Sequence, residues 1–394
     1  MLDRKKWHIE SPSSGVVRTY ARAKVNLSLS VHAKQPNGFH NLSSILCPIS
    51  LADLVELRSI ENETVGQNIY FNMTFSDELK AHLSAAVDGE RNDEKIAERL
   101  GLLGDGNLAM KALKAISSLA QEQGKNIPNL RLDLHKRIPF AAGLGGGSAD
   151  AAAVLLAGVH FFQLDTSDES LFALGAAIGS DVPAILAGHA VLAEGRGERL
   201  TDISLPPMTN QLIAALGVLL VRMPIDVSTK DAFSLLERPI GAPPTKALDL
   251  TNKYTEKSSR TPTELLDFLT RDRFGTTDYG LTSGGATGIS LWPEFQEGAR
   301  EFFRLLENDF QDPVLTRWPE LSSAVQLLNR VGANKVLLAG SGSTMVGLFA
   351  GGHNEARVAA DSIAALVHDN KAPAKMWGSI CPNPLWISTA QFEP

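Results

Sequence analysis

Residues 139–149, here called the glycine loop, read Pro-Phe-Ala-Ala-Gly-Leu-Gly-Gly-Gly-Ser-Ala and are followed by Asp150. Glycines at this density let the backbone approach a ligand closely and adopt conformations that other side chains forbid. An alternating segment precedes the loop and the helix-forming run AAAVLLA follows it, so amides at a helix N-terminus would face a bound anion. We interpret the loop as a phosphate site. The alternative is a turn that only joins a strand to a helix.

Two charged residues, far apart in the sequence, are candidates for a chemical role. Lys24 shares the polar face of an alternating segment with Asn26, a pattern that by itself is typical of a solvated strand face. Asp181 follows a helix-ending glycine, where it would either cap the next turn or present a carboxylate that accepts a proton. Taken alone, the two patterns leave these interpretations open.

Three weaker signals lie elsewhere in the chain. Phe39 and His40 follow the turn after the first strand, in positions that residues of the core or the surface often occupy. Gly340-Ser341-Gly342-Ser343 separates two β-like segments, and it is either a second backbone platform near a phosphate or a simple hairpin turn.

The elements that must position these residues are predicted from periodicity. Alternation predicts strands over 25–32, 51–58 and 130–134, short strands around Gly195-Arg196-Gly197, and a core strand over 212–223. Helical spacing predicts helices after Asn107 and over 168–178, 294–306, 319–331 and 354–368. We interpret residues 76–106 and 237–266 as surface insertions. Because strands and helices mix without a regular βαβ alternation, the fold class is α+β.

Composition restricts the classes of function. The chain has 394 residues, enough for two domains, and a formal net charge of −7, which is a poor match for nucleic acid or an anionic membrane. Cys47 and Cys381 share no motif, which argues against a disulfide framework or a zinc site. The N-terminal basic residues precede no apolar stretch, and the longest apolar run, 212–221, is too short to span a bilayer. We therefore expect a cytoplasmic protein.

In their order along the chain, these segments resemble the GHMP kinase superfamily, which has an N-terminal strand motif, a Pro-x-x-x-Gly-Leu-Gly-x-x-Ser-Ser/Ala loop and a C-terminal glycine hairpin. Within the superfamily the chain is most similar to the 4-diphosphocytidyl-2-C-methyl-D-erythritol kinases. The matching segments are Ala23-Lys24-Val25-Asn26-Leu27, Asn37-Gly38-Phe39-His40, the glycine loop, Leu174-Gly175, Asp181-Val182-Pro183, Gly188-His189-Ala190, Val227-Ser228-Thr229, Asn308-Asp309-Phe310 and Leu338 to Ser343.

The chain departs from this family in three respects. Phe39 stands where the family usually has Tyr, and Pro224-Ile225-Asp226 replaces the usual Pro-Gly. The chain is also longer than the usual member, and we assign the surplus to an N-terminal extension, 59–106 and 236–300.

The resemblance implies a two-domain GHMP kinase fold of the α+β class. The N-terminal domain would cover 1–205, and a ferredoxin-like C-terminal domain would cover 206–394 with a long insertion around 236–300. The implied reaction is ATP-dependent phosphorylation of the 2-hydroxyl of 4-diphosphocytidyl-2-C-methyl-D-erythritol, in isoprenoid precursor biosynthesis by the non-mevalonate route. The alternatives are another GHMP small-molecule kinase, of the homoserine or mevalonate type, and a non-catalytic ligand sensor with this fold.

The resemblance also assigns residues to roles. Lys24 and Asp181 would be catalytic, and Asn26, Phe39 and His40 would bind the substrate. ATP would be bound by Pro139, Phe140, Ala141, Ala142, Gly143, Leu144, Gly145, Gly146, Gly147, Ser148 and Ala149, with Lys136 as a weaker candidate. Magnesium would arrive with ATP, with Ser148 as its candidate contact and no dedicated metal site. The expected partners are the two small molecules, without nucleic acid or membrane, and the oligomeric state is left open.

Overall fold

The computed structural model describes residues 2–36, 38–60, 68–104, 106–236, 261–271, 293–368 and 385–394. Its contacts divide the chain into two compact units. Unit 1 contains residues 1–24, 51–140 and 145–189, and unit 2 contains residues 25–50, 141–144 and 190–394. The units alternate along the chain, and the two-domain division at residue 205 stays a prediction.

Unit 1 contains an antiparallel sheet to which one parallel strand is added. Strand β1 (Ile9–Ser13) pairs with the first part of β2 (Val16–Lys34). The last part of β3 (His40–Ile60) pairs with β5 (Asn129–Lys136), and β4 (Ile69–Phe75) lies parallel to β5. The strands predicted over 25–32, 51–58 and 130–134 all fall within β2, β3 and β5.

The helices of unit 1 pack mainly on one another. They are α1 (Asp77–Ser84), α2 (Asp93–Arg99), α3 (Leu108–Glu122), α4 (Gly146–Phe162), α5 (Asp168–Ile178) and α6 (Val182–Ala187). Helix α2 packs on β4. Asn107 caps α3 as predicted, because its side chain accepts hydrogen bonds from the amides of Ala109 at 2.9 Å and Met110 at 3.2 Å. Helix α4 is buried from Ala149 to Val159, as expected of a helix that is apolar on all faces.

Unit 2 ends in a ferredoxin-like layer, as the sequence predicted. Strands β8 (Gly217–Arg222), β10 (Lys335–Leu338), β11 (Thr344–Phe349) and β12 (Trp386–Gln391) pair in the antiparallel order β10-β11-β8-β12. Helix α12 (Leu321–Arg330) packs on β10 and β11, and α13 (Gly352–His368) packs on β8, β11 and β12. This order, with a helix before β10 and another after β11, is that of the split βαβ unit.

The rest of unit 2 surrounds the hairpin formed by the remaining parts of β2 and β3. It contributes strands β6 (Val191–Gly195), β7 (Arg199–Asp202) and β9 (Glu307–Asn308), and helices α7 (Pro207–Ala215), α8 (Thr229–Leu236), α9 (Thr261–Thr270), α10 (Pro293–Leu305) and α11 (Gln311–Arg317). Strand β6 pairs with β3, and β9 lies parallel to β2. Among the described residues, no helix has both the length and the apolar character needed to cross a membrane.

Three sequence interpretations are corrected here. The predicted core strand over 212–223 is the end of α7 followed by β8, because a short apolar run fits a buried helix as well as a buried strand. Within 76–106, helices α1 and α2 bury Leu79 and Ile96, so this segment is not a bare surface excursion. Residues 261–266 of the predicted loop 237–266 lie in α9, whereas residues 237–260 lie outside the described part of the chain, as does Cys381.

Asn308 joins β9 to the turn between β10 and β11 in unit 2. Its Nδ2 donates to the carbonyl oxygens of Leu338 and Gly340, both at 2.7 Å, and its Oδ1 accepts from the amide of Phe310 at 2.9 Å. The neighbouring Asp309 carboxylate accepts from the amide of Val31 at 2.8 Å. Because these groups are buried, each lost partner leaves a polar atom unsatisfied.

Asn308→Ala should therefore lower the free energy of unfolding by about 3 kcal/mol. Asn329→Ala, at an exposed position of α12, is the control and should unfold at nearly the wild-type denaturant concentration. Chemical denaturation of the two variants makes the comparison. An Asn308→Ala protein as stable as the Asn329→Ala protein would show that these bonds contribute nothing net.

Candidate active site

Lys24 and Asp181 meet within unit 1. The Lys24 Nζ lies 3.5 Å from Asp181 Oδ2, and the side chains are 8% and 41% exposed. The interpretation of the Lys24 face as solvated is wrong, because Lys24, Asn26, Ser28 and Ser30 are all buried. The cap interpretation of Asp181 is wrong as well: Asp181 occupies the N-cap position of α6, but its side chain makes no capping bond. At 3.5 Å the two groups form an ion pair rather than a short hydrogen bond.

The second half of the glycine loop packs tightly beside this ion pair. Gly145 has a φ of +72°, and a Cβ there would lie 3.0 Å from Lys24 Cγ and 3.2 Å from Ile185 Cδ1. A Cβ at Gly146 would lie 2.9 Å from Ile138 Cγ2. Helix α4 begins at Gly146, so the amides of its first turn have no partner within the helix. Unpaired amides at the start of a helix, next to a closely packed glycine backbone, are the arrangement of an anion-binding site.

Residues 141–144 of the glycine loop belong to unit 2 and pack on the turn between β10 and β11. Gly143 has a φ of +75°, and a Cβ there would lie 1.8 Å from the carbonyl oxygen of Ala339. The amide of Thr344 donates to the carbonyl of Ala142 at 3.4 Å, and the Thr229 and Ser341 hydroxyls lie 3.3 Å apart. The Gly340-to-Ser343 segment is thus a hairpin turn whose backbone supports the loop. Thr229, the last residue of the Val-Ser-Thr motif, contacts this turn at Ser341.

The predicted substrate residues lie in unit 2. Asn26 Nδ2 donates to Ser44 Oγ at 2.7 Å, and that hydroxyl donates to the carbonyl of Ser28 at 2.6 Å. His40 Nδ1 lies 2.8 Å from the carbonyl of His32. Phe39 is 51% exposed, which leaves an aromatic face accessible to a planar ligand. Asn37, from the same motif, lies outside the described residues.

Arg196 and Phe233 lie against Phe39 and His40, and the sequence analysis did not identify either of them as a site residue. The Arg196 guanidinium lies 4.2 Å from the centroid of the Phe39 ring, and the Phe233 ring lies 5.5 Å from the ring of His40. Arg196 occupies the turn between β6 and β7, and Phe233 lies on α8. An exposed arginine within a Gly-Arg-Gly turn is a sequence feature that could have indicated a binding residue. The contact of Arg196 with Phe39, however, depends on the pairing of β3 with β6.

Lys136, the weaker nucleotide candidate, is not on the surface of the loop. Its side chain is 1% exposed, and its ammonium contacts the carboxylates of Asp53 and Asp150. A buried ammonium engaged by two carboxylates is not exposed to a nucleotide, so that interpretation is corrected.

The residues present fit the phosphates of a nucleotide. At Gly143 and Gly146 a Cβ would collide with its surroundings, and at Gly145 it would make tight contacts at a positive φ, so the chain needs glycine to bring its backbone this close. Backbone amides at a helix start provide a positive potential that suits a triphosphate, and the Lys24 ammonium near Gly145 adds to it. The half-buried Ser148 follows in the first turn of α4 and has the hydroxyl type that accompanies phosphate-bound magnesium.

Comparison with known proteins identifies relatives of this chain. Residues 107–189 match the family described as "GHMP kinases N terminal domain". A protein of Shouchella clausii named "4-diphosphocytidyl-2-C-methyl-D-erythritol kinase" is 30% identical over 83% of this chain and 84% of its own length. A protein of Deinococcus radiodurans with the same name is 30% identical over 97% of this chain and 95% of its own length.

Solved structures resemble the chain over nearly its whole length. A 4-(cytidine 5'-diphospho)-2C-methyl-D-erythritol kinase superposes with a TM-score of 0.57 and 26% identity, covering 95% of this chain and 99% of that protein. The mevalonate kinase of Methanococcus jannaschii superposes with a TM-score of 0.58 at 13% identity, covering 98% of this chain and 100% of that protein. The second likeness shows the shared fold alone.

The loop glycines provide a matched pair of variants. Gly145→Ala should destabilise the protein by about 1–3 kcal/mol, because a positive φ and contacts with Lys24 and Ile185 oppose the new methyl group. Gly147→Ala should be neutral or slightly stabilising, because its Cβ would meet only Leu108 Cδ1 at 3.7 Å within a helical turn. Denaturant midpoints of both proteins test the pair. Equal midpoints would show that the loop relaxes freely around Gly145.

Proposed function

This chain belongs to the family of 4-diphosphocytidyl-2-C-methyl-D-erythritol kinases, and on that premise we propose that it transfers the γ-phosphoryl group of ATP to the 2-hydroxyl of 4-diphosphocytidyl-2-C-methyl-D-erythritol. The product would supply isoprenoid precursors by the non-mevalonate route. The observation that carries the proposal is the ion pair of Lys24 with Asp181 beside Gly145. It brings a cation and a proton acceptor to the loop that we assign to the phosphates.

Asp181 is the proposed general base. Its carboxylate is partly exposed, so a substrate hydroxyl can reach it, and its backbone is fixed at the start of α6. The hydroxyl proton passes to Asp181 while the oxygen bonds to the γ-phosphorus, and the bond to the bridging β–γ oxygen breaks to release ADP. Because the attacked hydroxyl is tertiary and a weak nucleophile, orienting it in line counts for as much as removing its proton.

Lys24 is the proposed electrostatic partner. Its buried ammonium lies 3.5 Å from Asp181 Oδ2 and would stabilise negative charge as it develops on the substrate oxygen. The backbone amides of the glycine loop hold the phosphates, where charge spreads during transfer. Magnesium bound with ATP would neutralise phosphate charge, and Ser148 is the residue of this chain that we assign to contact it.

The cytidine end of the substrate is assigned to Phe39 and His40. Phe39 offers an exposed ring for stacking, and His40 is fixed by the carbonyl of His32 next to the Phe233 ring. Phenylalanine retains the π-face of the usual tyrosine, so the missing hydroxyl costs about 1 kcal/mol at most. Asn26 is assigned to the sugar alcohol portion of the substrate.

We also propose that the protein is located in the cytoplasm.

A kinase assay with ATP and the cytidylylated methylerythritol, reading the position of the new phosphate, tests this function. Asp181→Asn should fold normally and lose about 10²–10⁴-fold in kcat, because the hydroxyl proton then has no acceptor. Asp168→Asn is the matched control: its side chain is 35% exposed and pairs with Arg4, so the variant should turn over like wild type. Lys24→Met should bind ATP and turn over poorly. A wild-type kcat in Asp181→Asn or Lys24→Met removes that residue from its role.

Phe39 distinguishes this substrate from those of other kinases with the same fold. CDP should raise the melting temperature of the wild-type protein, whereas homoserine and mevalonate should not. Phe39→Ala should weaken CDP binding by about 5- to 100-fold, since one base stacked on an aromatic ring contributes about 1–3 kcal/mol. Phe39→Tyr should bind normally, and so should Tyr70→Ala, a control at another exposed aromatic residue. Stabilisation by homoserine or mevalonate instead of CDP would favour the alternative kinases.

A further inference from the structure

Residues 2–7, here called the N-terminal strap, lie against α6, the helix that begins directly after Asp181. The strap contains one turn of 3₁₀ helix, in which the Asp3 side chain accepts a hydrogen bond from the amide of Lys5 at 3.1 Å. Trp7, at the end of the strap, is only 6% exposed. Because an aromatic ring of this size contributes a large apolar area when it is buried, Trp7 anchors the strap to unit 1.

The strap provides hydrogen-bond donors to the end of α6, where the last carbonyl groups of a helix have no partner within it. The Leu186 carbonyl accepts from the Trp7 indole N–H at 3.1 Å, and the Ala187 carbonyl accepts from the amide of Asp3 at 3.1 Å. A Cβ at Gly188 would lie 2.9 Å from Trp7 Nε1, so the chain turns closely around the indole after α6. With only six residues, α6 depends on such contacts, because a helix this short is marginal by itself.

The strap also contacts the strand that carries Lys24. The Arg22 guanidinium donates to the carbonyl of Lys6, and Arg22 lies on β2 two positions before Lys24. All of these residues belong to unit 1. One segment therefore contacts both elements whose positions set the distance of 3.5 Å between Lys24 Nζ and Asp181 Oδ2.

The contact at the end of α6 restrains a motion that side-by-side packing permits. Helix α6 packs on α4 and α5, and packed helices can slide past one another by small amounts. Hydrogen bonds to the last carbonyls are directional, so they oppose a shift of α6 along its axis. Because Asp181 directly precedes α6, such a shift would move its carboxylate as well. A misplacement of about 1 Å is enough to slow a reaction that depends on orientation.

We propose that the N-terminal strap is a positioning element of the active site, and that Trp7 acts through α6 to hold Asp181 where it takes the proton of the substrate hydroxyl. The proposal rests on the assignment of Asp181 as the general base. It also gives a role to the N-terminal extension, which is part of the surplus length of this chain. The residues that we assign to ATP and cytidine lie on other elements, so a displaced α6 should lower kcat without raising KM.

Trp7→Phe tests the proposal because it keeps an aromatic ring and removes the indole N–H that donates to Leu186. In the assay with ATP and the cytidylylated alcohol, kcat should fall by about 3- to 30-fold, while both KM values stay within about twofold of wild type. Trp318→Phe is the matched control. It makes the same change at a half-buried tryptophan directly after α11 in unit 2, and it should turn over like wild type.

A double-mutant cycle separates positioning from a general loss of stability. If Trp7 acts through Asp181, adding Trp7→Phe to Asp181→Asn should leave the residual kcat within about twofold, because no base remains to be displaced. If Trp7 only stabilises the fold, Trp7→Phe should lower kcat by the same factor in both backgrounds, and that result would overturn the proposal.

Hydrogen exchange of the backbone amides provides a measurement that needs no substrate. In Trp7→Phe the amides of α6 should exchange about three- to tenfold faster than in wild type, while those of α3 stay unchanged. Unchanged exchange in α6, or a wild-type kcat in Trp7→Phe, would contradict the proposal. If the wild-type protein does not phosphorylate the cytidylylated alcohol but α6 exchanges faster in Trp7→Phe, the proposed function is wrong and the anchoring of α6 by the strap stands.

Discussion

The Lys24 ammonium is buried on β2, and a buried ammonium is stable as a cation only beside negative charge. Asp181 supplies that charge from the start of α6, more than 150 positions along the chain. A purely structural pair would be more stable if both partners were enclosed and closely hydrogen bonded, yet the Asp181 side chain is 41% exposed and 3.5 Å away. The geometry leaves one partner open to a ligand. An exposed acceptor beside a buried donor supports the proton transfer to Asp181 that we propose, and β2 and the start of α6 carry the two residues.

Glycine is the second constraint, and it acts through excluded volume. Gly145 leaves room for the stem of Lys24, and Gly143 leaves room for the carbonyl of Ala339. The same residue type thus brings the loop backbone close to Lys24 in one unit and to the β10–β11 turn in the other. Asn308 fixes that turn by bonding to the carbonyls of Leu338 and Gly340. The resemblance to the family includes the Asn-Asp-Phe segment at 308–310 but assigns it no role. Its role in the structure is to hold the turn against which the loop packs.

The features that the sequence predicts well are those decided locally. The strand containing Lys24, the cap of α3 at Asn107 and the end of α5 at Gly179 follow from alternation and capping chemistry. The prediction of one core strand over 212–223 was wrong because a short apolar run does not distinguish a buried helix from a buried strand. Lys136 was interpreted as a nucleotide candidate because nothing near it in the sequence indicates that its ammonium contacts Asp53 across the sheet. Arg196 and Phe233 escaped notice for the same reason, since strand pairing and helix packing bring them to Phe39 and His40.

The position of Arg196 bears on the replacement of tyrosine by Phe39. A stacked guanidinium covers one face of an aromatic ring and attracts its π-electrons, whether or not the ring carries a hydroxyl. The backbone of Arg196 is held in turn, because its amide donates to the Glu198 carboxylate at 2.6 Å. The Phe39 side chain is 51% exposed with the Arg196 guanidinium over its ring, and its orientation does not depend on a phenolic hydrogen bond. The substitution therefore removes a polar contact and keeps the aromatic ring that the proposed stacking on a base uses. The departure from the family at Phe39 is thus compatible with the same ligand.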